Sequence, residues 1–149
     1  MRIAVLNGPN LNLLGVREPE RYGRSSLADV ERRLGEVATE LGVELECSQH
    51  NGEGQLIDAV HAMRGRIDGA IVNAGAYSHS SLALRDALVG VSVPFVEVHV
   101  TNVYAREPER RHSMLAPAAI GGVVGLGVLG YELAVRGLVA TLNGPSPRS

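Results

Sequence analysis

The sequence predicts an α/β protein built on a doubly wound, parallel sheet. Strand-like and helix-like segments alternate five times along the 149 residues, the pattern of right-handed crossovers between parallel strands. The strand candidates are near-continuous aliphatic runs, as in "RIAVLN" (Arg2–Asn7), which suits strands covered on both faces. Clusters of polar residues follow the ends of these runs, where open α/β sheets build their sites. The length predicts one domain, residues 1–143, with residues 144–149 as a disordered tail. Apolar residues make up 45% of the chain but include one Phe, four Tyr and no Trp, so an aliphatic core is expected.

The elements follow in order. After Arg2–Asn7 comes "NGPNLNLLGVREPERYG", whose asparagines, glycines and prolines predict a long polar loop rather than a helix or strand. "SSLADVERRLGEVATEL" sets Leu27, Val30, Leu34, Val37, Ala38 and Leu41 at helical spacing. Ser26 is the expected N-cap, Asp29 completes a capping box, and Gly42 ends the helix. "VELECSQ" (Val43–Gln49) alternates and predicts a second strand, at an edge. "GQLIDAVHAMRG" is a short helix expected to turn Leu56, Ile57, Val60 and Met63 inward. "IDGAIVNAG" supplies the third strand, through Asn73. "HSSLALRDALVG" is the third helix, with Ser80 or Ser81 as its cap, and "VPFVEVHV" is the fourth strand. A second polar loop, "TNVYAREPERRHSM", leads to a fifth strand in "AAIGGVVGL" and a last helix in "LGYELAVRGLVATL".

Composition removes several function classes. Net charge is −2, from 14 basic against 16 acidic residues with no long basic block, so nucleic acid is not an expected partner. Every basic residue is arginine. Without lysine there is no Schiff-base route through a side-chain amine and no phosphate-loop lysine. Cys47 is the only cysteine; no intramolecular disulfide can form, which points to the cytoplasm. The first apolar run is too short for a signal peptide, and no stretch of about 18 uncharged apolar residues predicts a membrane span.

The strand ends then converge on a set of polar residues. The first loop carries Asn10, the third strand ends in "NAGAYSH" with Asn73 and His79, and the fourth carries Glu97 and His99. The long loops add Arg17, Tyr22, Arg106 and Arg110, either as solvated charge or as a clamp for an anionic substrate. Glu97 and His99 share one sheet face at period two. Four arrangements suit that pair: metal ligands with His79 as the third, a core ion pair, a solvent-facing pair, or a glutamate that orients a histidine general acid. "GLGVLG" (Gly125–Gly130) satisfies a dinucleotide fingerprint literally, but that fingerprint belongs with a first strand and a later acidic residue. Glycines placed for close helix–sheet or subunit packing are the simpler reading.

Four blocks, "NGPNLNLLGVREPERYG", "QHNGEGQLIDAVH", "NAGAYSHSSLALRDA" and "PFVEVHVTNVYARE" running on to "RRHS", closely resemble the type II 3-dehydroquinate dehydratases. The final "GVVGLGVLGYELA" also fits, so the likeness spans nearly the whole chain. The resemblance implies a flavodoxin-like, three-layer α/β/α fold with a five-stranded parallel sheet of order 2-1-3-4-5. It implies dehydration of 3-dehydroquinate to 3-dehydroshikimate in the shikimate pathway, with no cofactor and no metal, by a dodecamer assembled from trimers. Tyr22 matches the family's catalytic tyrosine, Arg17 its lid arginine and Asn10 the asparagine of its first loop. Glu97 and His99 match its Glu–His pair, with His99 as proton donor. Asn73, His79, Val100, Thr101 and Arg110 match substrate contacts, Asp86 the aspartate that crosses from a neighbouring subunit, and Arg106 the arginine beside the tyrosine. Thr101 stands where serine is usual, Ser78 and Ser80 where threonine is common, His50 where serine is common, and Glu109 where an aromatic precedes the arginine. The last swaps an apolar anchor for a charge beside Arg110.

The residues suit that chemistry. With no lysine, charge from a removed α-proton must rest on an enolate oxygen, stabilised by neutral donors or by a water held by Asn10. The base must be strong, and an ordinary tyrosine is ionised in only about one molecule per thousand at pH 7. Arg17 and Arg106 are the cations expected to favour the phenolate. His99 would protonate the departing hydroxyl, while backbone amides at Val100 and Thr101, with the Thr101 hydroxyl, would cradle the substrate carboxylate. Two other classes stay open at this point: a flavodoxin-like nucleotide-binding module and a non-catalytic assembly protein.

Overall fold

The computed structural model describes residues 1–144. Five strands form one sheet: β1 (Arg2–Asn7), β2 (Glu44–Gln49), β3 (Gly69–Asn73), β4 (Phe95–His99) and β5 (Gly121–Val124). All pair in parallel, in the order β2-β1-β3-β4-β5. Both the expected order and the edge position of β2 are therefore present. Four longer helices connect them: α1 (Leu27–Leu41), α2 (Glu53–His61), α3 (Leu82–Val91) and α4 (Leu129–Asn143).

Alternation along each strand divides the core in two. Ile3, Val5, Ile71, Val96 and Val98 pack against Val30, Leu34 and Val37 of α1 and Tyr131, Val135 and Leu138 of α4. Ala4, Leu6, Ala70, Val72 and Phe95 face the other way, against Leu56 and Val60 of α2 and Leu84 and Leu88 of α3. Aliphatic side chains fill both layers, as the composition required. The cap of α1 forms as read from sequence: Ser26 accepts from the Asp29 N–H, the Asp29 carboxylate accepts from the Ser26 N–H, and Gly42 closes the helix.

One expectation needs correction. The first polar loop is not structureless. It contains a 3-10 turn at Leu11–Leu13 and a single α-turn at Pro19–Tyr22, anchored by buried Leu11 and Leu14. Pro19 at the first helical position explains the second turn. The third helix forms as α3 with Ser81, one of the two expected caps, accepting from the Leu84 N–H; a separate turn at Tyr77–Ser80 precedes it. Ile57 turns inward as expected, half-buried but packed against the core beside the fully enclosed Leu56, Val60 and Met63. Of the expected disordered tail, residues 145–149 lie outside the described residues, and the Gly144 N–H still bonds the Ala140 carbonyl at 2.9 Å. No helix among the described residues is long and apolar enough to cross a membrane.

Candidate active site

Sheet register sets the floor of the site. Asn7 lies opposite Asn73 in the β1–β3 pair, so both strands end at one level. The next residue, Gly8, donates to the Asn73 carbonyl at 2.8 Å, and a Cβ there would overlap the Ala74 carbonyl. Only glycine lets the two chains leave the sheet so close together. Beyond them opens a cleft lined by Asn10, Arg17, Tyr22, Asn73, His79, His99, Val100, Thr101, Arg106 and Arg110. Glu97 sits buried behind His99 rather than on the cleft wall. Asp86 is not brought to this cleft. It is exposed on α3, in a groove shared with Ile57, His61 and Arg64 of the α2 side.

Tyr22 is the most heavily cationic point. Arg106 donates from Nη1 to the Tyr22 hydroxyl at 2.7 Å, and its guanidinium carbon lies 5.5 Å from the ring centroid. The Arg17 guanidinium lies 5.1 Å from the same centroid. Two guanidinium groups thus contact one phenol ring, one of them through its hydroxyl. Arg106 Nη1 also reaches the Thr101 hydroxyl at 3.4 Å, so that hydroxyl belongs to the arginine network as well as to the cleft. Arg110 is ion-paired with Glu107. Glu109, at the usual aromatic position, is exposed beside it, in a groove shared with Ala76 and His79.

The histidines are held in defined proton states. The Glu97 carboxylate only accepts, so the 2.7 Å contact with His99 Nε2 fixes a proton on that nitrogen and leaves Nδ1 for proton transfer. Ser113 donates its hydroxyl to the same Glu97 oxygen at 2.6 Å. Burial works to push the Glu97 carboxyl up, but these two hydrogen bonds and the charges of His99 and His79 outweigh it and hold it below its ordinary value. Of the four arrangements open from sequence, the buried Glu97–His99 contact rules out the solvent-facing pair and fits both a core ion pair and a glutamate that orients a histidine. His79 stacks on His99 with centroids 5.8 Å apart. Its Nδ1 donates to the His112 carbonyl at 2.7 Å, leaving Nε2 as an acceptor. Burial, aided by the positive fields of His99 and Arg110, keeps His79 below its ordinary value despite the opposing pull of the His112 carbonyl and Glu97. Among the described residues, no group of three or more His, Cys, Asp or Glu side chains is arranged to hold a metal ion.

Sequence reasoning missed the supports behind these groups. Tyr131 of α4 is fully buried and donates to Asn7 Oδ1 at 2.6 Å, while its oxygen accepts from Asn73 Nδ2 at 2.9 Å. Burial pushes the Tyr131 hydroxyl up, so it stays a donor. Asn51 Oδ1 accepts from the Asn10 N–H and from Gln49 Nε2, both at 3.0 Å, and pins the base of the first loop. Ser113 lay inside the quoted "RRHS" block with no role, and a lone aromatic in an otherwise aliphatic last helix was the only pointer to Tyr131. The "GLGVLG" glycines do structural work. Gly125 and Gly127 have φ of 86° and 67°, and their N–H groups bond the carbonyls of His99 and Val100, closing β5 onto the end of β4.

The chain matches the family model described as dehydroquinase class II over residues 1–139. It belongs to that family. The 3-dehydroquinate dehydratase of Gemmatimonas aurantiaca is 61% identical over 143 residues, covering 96% of this chain and 94% of that protein. The type II dehydroquinase of Butyrivibrio crossotus superposes with a TM-score of 0.91 at 40% identity, over 97% and 98% of the two chains. That of Propionibacterium acnes gives 0.89 at 41% identity, over 93% and 96%. Every cleft residue described above falls within the family match.

Proposed function

We propose that the chain is a hydro-lyase that converts 3-dehydroquinate to 3-dehydroshikimate, with loss of water, in the shikimate pathway. The observation that carries the mechanism is the paired guanidinium contact on Tyr22. A phenolate held there takes the proton from the carbon beside the substrate ketone, and the C–H electron pair moves to the carbonyl oxygen as an enolate. Donors at the first loop, including Asn10 and water held by it, stabilise that oxygen. The enolate then collapses. A carbon–carbon double bond forms, the carbon–hydroxyl bond breaks, and His99 supplies the proton that lets the hydroxyl leave as water. Glu97 holds the Nε2 proton, so the proton delivered in this step is a second one, carried on Nδ1 of the doubly protonated ring.

The remaining cleft residues suit the substrate. Val100 and Thr101 would receive its carboxylate. Arg110 and the Nε2 acceptor of His79 would meet its ring hydroxyls, and Asn73 holds the floor. Residues 1–143 act in this reading as one catalytic domain. The active form is proposed to be a homo-oligomer, a dodecamer of four trimers, with Asp86 reaching a neighbouring site. Its exposed position outside its own cleft supports that reading. A cytoplasmic location is proposed on the single thiol, Cys47, which burial keeps protonated by pushing it up to about 11. The test is direct: purified protein with 3-dehydroquinate should generate the ultraviolet absorbance of a conjugated enone acid. No absorbance change at micromolar enzyme would reject the reading.

A further inference from the structure

Three successive residues of the second polar loop each grip a different part of the histidine pair. The His112 carbonyl accepts from His79 Nδ1 at 2.7 Å. The Ser113 hydroxyl donates to Glu97 Oε2 at 2.6 Å. The Met114 N–H donates at 2.7 Å to the carbonyl of Ser78, in the turn that carries His79. The middle residue is fully committed: its oxygen also accepts the backbone N–H groups of Leu115 and Ala116, each at 3.1 Å. A hydroxyl has one proton and two lone pairs. With both lone pairs taken, its only proton must point at Glu97. Glu97 Oε2 in turn has two donors, Ser113 and His99.

We infer that Ser113 is a positioning residue for the dehydration step, acting through Glu97 to hold His99 with its proton on Nε2 and its Nδ1 toward the substrate. This rests on the proposed dehydration. Backbone N–H groups aim the serine, the serine fixes the carboxylate rotamer, and the carboxylate fixes the imidazole. Without the serine hydroxyl, Glu97 Oε2 keeps one donor of two and the carboxylate is free to rotate on the buried side of His99. Other groups face that ring: His79 stacked on it, and Tyr22, Arg17, Arg106 and Arg110 around the cleft. None of them bonds Glu97, so none can substitute for the lost hydrogen bond.

The test compares Ser113→Ala, Ser113→Cys and Ser113→Thr with wild type. Loss of one hydrogen bond to a charged group predicts a fall in kcat of about tenfold to a hundredfold with KM within about twofold. Exchange of the substrate α-proton with deuterated solvent, which depends on Tyr22, should persist in Ser113→Ala. Ser113→Cys keeps the volume but donates weakly, and should show the same loss if the alanine variant folds poorly. Ser113→Thr should recover most of the rate. Nitrogen-15 spectra of the ligand-free protein should show one His99 tautomer in wild type and a mixture in Ser113→Ala. Equal loss of exchange and dehydration in a folded variant would overturn the inference, as would an unchanged tautomer signature or undiminished kcat. If wild type itself fails to dehydrate 3-dehydroquinate, the functional reading falls while the ligand-free spectra still test the brace.

Discussion

The loop after β1 and the loop after β4 each bring one arginine to the Tyr22 ring, but they hold it differently. Arg17 has a side chain 36% exposed, and its nearest acid is its neighbour Glu18 at 3.6 Å. Glu18 takes a left-handed conformation at φ 42°, and the turn Pro19–Tyr22 that follows contributes no fully buried residue. Arg106 is only 9% exposed and bonds the Tyr22 hydroxyl. Its own carbonyl accepts from Arg111 Nε at 2.9 Å, and buried Val103 anchors the turn before it. The contrast assigns the two cations separate duties. Arg106 belongs to the fixed wall and, in the proposed mechanism, would meet the Tyr22 oxygen whether or not substrate is present. Arg17 lies on the more exposed segment, which in the proposed mechanism would admit substrate and release product, so its contribution would be greatest with that segment closed.

The largest effect tests the group that both arginines serve. Tyr22→Phe should lower kcat about a hundredfold to ten-thousandfold, with the fold intact by circular dichroism. Near-normal turnover would remove the base and the comparison together. Arg106→Met comes next, with an expected loss in kcat of about tenfold to a hundredfold and little change in KM. Arg17→Met should lower kcat less and raise KM as well, because in the proposed mechanism this cation engages only with substrate bound. Identical kinetic signatures for the two arginine variants would erase the distinction.

The smallest expected effect concerns stability against pH. His79 and Glu97 both sit below their ordinary values in the folded protein. For each, the unfolded chain binds the proton more readily, so the stabilisation is full above the unfolded value and is lost as pH falls toward the folded one. Urea midpoints should decline in two stages on acidification, first below the histidine reference of about 6.5 and then below the glutamate reference of about 4.3. His79→Asn should flatten the first stage and Glu97→Gln the second. A midpoint that rises between pH 6.5 and 5 would contradict the assignment for His79.

Much of this molecule could be read without its coordinates. Local rules produce local outcomes: the Ser26–Asp29 capping box, the Gly42 stop and the β1 run appear where spacing put them. Period-two alternation correctly placed Glu97 and His99 on one face. The first loop was legible as a carrier of Asn10, Arg17 and Tyr22, but its two short turns were not, since single turns rest on Pro19 and on buried Leu11 and Leu14 rather than on a repeating pattern. The break at Ser81 was half-legible, because either serine could have capped the helix.

Chain order and residue type by themselves determined the alternating α/β architecture, the aliphatic core, the absence of amine chemistry and the strand ends that bear polar groups. Only the folded chain decided which arginine bonds the tyrosine, which nitrogen of His79 and of His99 donates to its partner, and that Ser113 and Tyr131 stand behind the site. The physical reason is range. Capping and periodicity act over a few residues, whereas Arg106 meets Tyr22 across 84 positions and Tyr131 meets Asn7 across 124. Such pairs exist only after sheet register has brought distant backbone ends to one level.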